Sequence, residues 1–250
     1  MSNVPASRFT TSVAVEFHKL RRSLALLLVV VAPLLIAVFD FFNLLRADKP
    51  MPWAMWLQSA AAIWAFFMLP MSVTALTALM AQAEHGPRSW DTLRALPLPR
   101  WHLYAAKAAC ALAMVLAMSL LLAALIPLAI IAAGIAKPGA AAAGTLQLAP
   151  FLFLLGRIFL AAWLLVAVQL WMALRYASFV PALALGIGGT FFAVVATSAR
   201  AGVVLPWQIP VNQLASDPAR ADLTLVLGFA GGVIAFGLLL WRMSQREVLA

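Results

Sequence analysis

Apolar residues run almost unbroken through six stretches of the chain, and polar residues gather between them. The stretches cover about 23–45, 50–83, 108–136, 151–174, 176–199 and 223–241. A helix needs roughly 20 mostly apolar residues to cross a hydrocarbon core of ~30 Å. Each stretch supplies enough, and the second and third leave a surplus for tilt or for projection beyond the bilayer. A transmembrane barrel would alternate apolar and polar positions in ten-residue segments instead. The pattern predicts an all-α polytopic membrane protein with six transmembrane helices. Pro33, Pro70, Pro127 and Pro181 fall inside the stretches, as is common in membrane helices.

Ahead of the first stretch the pattern changes period. Phe9, Val13, Phe17 and Leu20 recur at helical spacing, with Arg8, Ser12, Glu16 and Lys19 on other faces. That is the pattern of a helix lying in the headgroup plane. The plainer alternative is a basic tail that only fixes topology. The chain thus divides into an interfacial elbow, 1–22, and a single transmembrane domain, 23–250. The domain has a coupling loop at 84–103 and an outer loop at 200–222.

Composition sharpens this picture. Hydrophobic residues make up 65% of the chain and charged residues 10%, against ~25% charged in a soluble domain. Little mass is left outside the bilayer. Of 17 Lys+Arg, eleven fall on the side of the N-terminus and six on the other. The positive-inside rule then places both termini in the cytoplasm, which agrees with an even span count. The net charge of +9 is a topology signal rather than a nucleic-acid one. Cys110 stands alone, and the three histidines lie outside the apolar stretches. No disulfide framework, intramembrane metal site or catalytic cluster is expected. No cleavable signal peptide is expected either.

The loop between the second and third stretches is the least greasy. Ser89 is placed to cap a short helix through Leu96, with Asp91 in its first turn. Trp90, Leu93 and Leu96 give it an apolar side, flanked by Arg88 and Arg94, before Pro97 and Pro99 stop it. An exposed aromatic beside arginines has the composition of a docking anchor. A turn resting on lipid fits the same residues.

Glu84, Trp90, the run Leu96-Pro97-Leu98-Pro99-Arg100, Tyr104 and Lys107 together resemble the permease subunits of type-2 ATP-binding-cassette exporters. The small six-span permeases of bacitracin and lantibiotic-type resistance are the closest subgroup. Glu16 to Leu20 and Gln169-Leu170-Trp171 with Arg175 share the likeness. The resemblance implies a non-enzymatic chain in the bacterial inner membrane that exports a peptide antibiotic, lipid-like or other amphipathic compound. It implies a separate cytoplasmic ATPase holding ATP and Mg, and a second permease, either a copy or a relative. Glu84, Arg88, Trp90, Asp91, Leu93, Arg94 and Leu96 would form the ATPase docking site. The sequence agrees in having no Gly-x-x-x-x-Gly-Lys-Ser/Thr phosphate loop.

Polar residues at membrane depth are candidates for the path or for packing. Asp40 falls roughly 25 Å along the first span at 1.5 Å per residue, and Arg157 at similar height in the fourth. Either they face the bundle interior, paired or lining an outer cavity, or both reach for the outer headgroups. Gln169, Thr74 and Thr77 suit hydrogen bonds between helices, and Gly186, Gly188 and Gly189 suit close approach. In the outer loop, the run from Leu205 to Pro210 is apolar and carries Trp207. It suits an interfacial anchor or a segment capping an exit path. A secondary transporter and a membrane scaffold are the rival readings. The former usually shows internal repeats and paired mid-membrane ionisable groups, neither of which is evident.

Overall fold

A computed structural model describes residues 9–21, 23–85, 99–195 and 200–245. Among them the regular structure is helical, with one isolated bridge between Pro52 and Ala143 joining two outer loops. The helices are α1 (Phe9–Leu20), α2 (Leu24–Arg46), α3 (Trp53–Ile63), α4 (Leu69–His85), α5 (Arg100–Ala136), α6 (Leu148–Ala161), α7 (Trp163–Arg175), α8 (Val180–Val195) and α9 (Pro218–Ser244). α3 and α4 run on through a π-helical segment, Trp64–Met68, and α6 and α7 meet at Ala162. Five of the expected spans are therefore long and apolar enough to cross a membrane, and α8 supplies a shorter sixth.

Local chemistry sets the ends and the breaks. Ser23 turns the chain from α1 into α2, because its hydroxyl donates to the Leu20 carbonyl at 2.8 Å and accepts from the Ala25 amide at 3.1 Å. Pro70 has no amide hydrogen and its ring crowds the carbonyl four residues back. The wider π segment lies just ahead of it and relieves that conflict. At the outer end of α2, Lys137 donates to the carbonyls of Leu45 and Ala47 at 3.1 and 2.7 Å, groups a helix C-terminus leaves unbonded. Asp217 caps α9 by accepting from the Ala219 amide at 3.0 Å, with Pro218 in the first turn.

Several boundaries differ from the sequence reading, the start of α9 at Pro218 rather than Leu223 among them. The fifth span begins at Val180 rather than Tyr176, since Pro181 favours the first turn of a helix over its interior. The third begins at Arg100, so residues 100–103 of the coupling loop are the first turn of α5 rather than loop.

Packing follows small residues. α2 lies most extensively against α5, with Ala25, Ala32 and Ala37 buried on α2. α9 lies against α7 and the Ala162 break. A methyl at Gly228 would overlap the Ala161 carbonyl, and one at Gly232 would meet the Trp163 backbone. Small residues let helices approach closely where no hydrophobic effect operates between them. We expect Gly228→Ala to lower the thermal midpoint of the purified protein, at an overpacking cost of about 1–3 kcal/mol. Gly188→Ala, whose added methyl meets nothing within 4 Å, should leave the midpoint unchanged or higher. Equal midpoints for the two variants would disprove the close contact of α9 with the end of α6 at Ala161.

Candidate functional site

Four charged side chains converge where α1 lies against the inner ends of α4 and α5. The Lys107 ammonium reaches Glu16 Oε1 at 2.5 Å and Glu84 Oε1 at 3.0 Å. Lys19 reaches Glu84 Oε1 at 2.8 Å and Glu16 Oε2 at 3.5 Å. Glu16, Glu84 and Lys107 are 6%, 2% and 1% exposed. A single buried charge in such a place is prohibitive, and pairing is its usual remedy. Two carboxylates here face two ammoniums.

The geometry departs from the helical wheel of the sequence reading in one respect. Glu16 does not stand on the watery face of α1 but points inward beside Leu20. Phe17 is 48% exposed instead. Val13 packs against the core, and its carbonyl accepts from Cys110 at 3.8 Å. Phe9 stacks on Trp101 with ring centroids 6.2 Å apart. The buried face of α1 is thus a polar docking face built around Glu16, with the apolar stripe only partly covered.

Lys19 is the rim of the network. Its partial burial pulls the ammonium down, but the Glu84 hydrogen bond and the Glu16 and Glu84 charges outweigh that and hold it above 10.5. A raised lysine contributes its stabilisation below 10.5 and loses it as pH climbs through the higher folded value.

Glu84, among the expected docking residues, is buried between Lys19 of α1 and Lys107 of α5. Arg88, Trp90, Asp91, Leu93, Arg94 and Leu96 lie outside the described residues.

The remaining polar candidates separate into two groups. At the level of Gly186, Gln169 donates to the Thr74 hydroxyl at 3.0 Å, and a methyl on Gly186 would collide with both. These three residues bind α7, α4 and α8 together. One helical turn further out, Gly189 receives the Trp207 indole. Trp207 is 8% exposed and Gln208 and Ile209 are fully buried. The outer segment therefore folds back along α8 to a depth of about 14 Å from that helix's inner end. Trp207 is buried against α8.

Asp40 and Arg157 do not pair. Arg157 donates to Asp222 at 2.6 Å and to Gln213 Oε1 at 3.1 Å. Asp40 is fully buried, and neither carboxylate oxygen has a hydrogen-bond partner among the described residues. The reason is the early start of α9. Asp217 and Pro218 begin that helix before the apolar run, which brings Asp222 to the height of Arg157. That capping signature was the available signal. Gln213 also donates to Thr224 at 2.9 Å, and Arg220 to Asn212 at 3.1 Å, so the outer face is tied by a continuous polar lattice.

Removing one member of a buried pair typically costs about 3–5 kcal/mol. Lys107→Met should lower the thermal midpoint accordingly. The double variant Glu84→Gln/Lys107→Met leaves Glu16 with Lys19 and should recover part of the loss. A double variant as unstable as the single one would contradict the network. Raising the pH should loosen α1, followed by hydrogen exchange of its amides, only above the ordinary lysine range.

The network, the Gln169–Thr74 bond and α1 to α8 from Ser12 onward fall within one recognised stretch. The model of the family described as ABC-2 family transporter protein matches residues 12–195. No curated protein matches the chain. With well over half of its 250 residues matched, the helical multi-pass chain belongs to the ABC-2 transporter family and is a membrane component of an ATP-binding-cassette transporter.

Proposed function

We propose that this chain forms the translocation path of an exporter in the bacterial inner membrane, driven by a separate cytoplasmic ATPase. The cargo would be an amphipathic compound such as a peptide antibiotic or a lipid-like molecule. The observation that carries the reading is the ion network. Glu84 and Lys107 flank the segment 86–98 on either side, and both are bonded to α1. A displacement of that segment is delivered to α1, α4 and α5 as one body. In this reading Trp90, Leu93 and Leu96 seat in the ATPase, and Arg88, Asp91 and Arg94 fix the register by charge. ATP and Mg stay in the ATPase. Its closure favours one of two bundle arrangements by differential contacts. A second permease, identical or related, completes the path.

The outer segment fits the exit end of such a path. Trp207 fills the space over Gly189, so cargo leaving along α8 must displace it. α8 is also tied at its inner end, where Gln82 donates to the Ala177 carbonyl just before it at 3.1 Å.

The test is co-purification with the ATPase together with ATP hydrolysis in reconstituted vesicles. Trp90→Ala and Arg94→Glu should each reduce recovery of the ATPase and at least halve cargo-stimulated hydrolysis. Normal binding and coupling in both variants would remove the docking role of the segment.

A further inference from the structure

Between α7 and α9, toward their inner ends, runs a groove of about 300 Å³ that none of the preceding functions uses. Ala167, Val168 and Trp171 form one wall, and Ala235, Leu238 and Trp241 the other. Its lining is almost wholly apolar, and Arg242 closes its inner end. Trp171 and Trp241 are 44% and 55% exposed, one on each wall. Arg242 has no hydrogen-bond or ion-pair partner among the described residues.

We propose that this groove binds one anionic phospholipid of the inner leaflet, with an acyl chain between the helices and the phosphate on Arg242. Three observations select this occupant. The walls offer an acyl chain apolar contact and nothing to hydrogen-bond, while the one cation stands at the end where a headgroup lies. α7 and α9 both finish at this level, at Arg175 and Ser244, and paired indoles mark the boundary between hydrocarbon and headgroups. A basic group between spans on the cytoplasmic side is the recognised setting for anionic lipid. A second copy of the chain fits less well. A twofold contact through this face repeats the same patch on both sides, which sets Arg242 against Arg242. The volume is at the lower end of small-molecule pockets and suits a chain rather than a helix.

The proposal is independent of ATPase coupling and is tested on the full chain alone. Native mass spectrometry of the detergent-purified protein is titrated with phosphatidylglycerol, phosphatidylcholine and inorganic phosphate. One phosphatidylglycerol should bind per chain more tightly than phosphatidylcholine. Arg242→Gln should weaken it about fivefold, the worth of one basic residue at a membrane surface, and remove the preference. Leu238→Trp should weaken both lipids by filling the groove from its exposed edge. Arg242→Gln changes only an exposed side chain, so it decides the matter even if Leu238→Trp fails to fold. Equal binding of the two lipids by the unaltered chain would overturn the proposal. So would an Arg242→Gln variant that binds as before, or inorganic phosphate binding as well as the lipid. Quantitative disulfide dimerisation of Leu238→Cys in a Cys110→Ala background would assign the groove to a second copy instead.

Discussion

The structure turns on the cost of holding charge away from water. A chain with so few charged residues buries three of them together at one junction with a fourth, Lys19, at the rim, and that is tolerable only because opposite charges are mutually bonded. Each ammonium touches both carboxylates, so α1 cannot leave without exposing an imbalance to the membrane interior. The helix is amphipathic enough to lie on a bilayer, but its orientation and its attachment to α4 and α5 come from this electrostatic lock. The lock holds Glu84 at the end of α4 and Lys107 near the start of α5 against the same helix.

The same constraint organises the opposite face by other means. Arg157 sits in a span and is satisfied by a carboxylate and an amide from elements that follow it by more than fifty residues. Lys137 uses the free carbonyls at the end of α2 as its acceptors. Neutral hydrogen bonds do the corresponding work at depth, where Gln169 and Thr74 join α7 to α4 under the cover of Gly186. Polar groups are thus distributed by depth: ionic at the two faces, amide and hydroxyl between. Asp40 is the exception, buried without a partner.

The spans were legible because length and continuity of apolar residues carry that signal directly. Gly186 and Gly189 as contact points, though not Gly188, and Gln169 as a bond between helices, were legible for a similar reason. At membrane depth small and amide side chains have few other uses. Glu16 was not, because a helical wheel assigns a carboxylate to water unless its partner is known, and Lys107 is far away in sequence. Asp222 was read as loop, because apolar counting places the start of α9 at Leu223 and overlooks the Asp217-Pro218 cap. Trp207 was ambiguous for a physical reason. The same indole suits an interface or a glycine-lined slot, and only the neighbour decides.

The separation of Glu16 and Lys107, 91 residues, has a consequence for biogenesis. At ~5–20 residues per second of synthesis, the elbow helix emerges several seconds before its buried cation exists. During that interval Glu16 must remain at the headgroups with Lys19 alone. The elbow can seat only after the third span has inserted, so its docking marks the moment at which the first half of the bundle is complete.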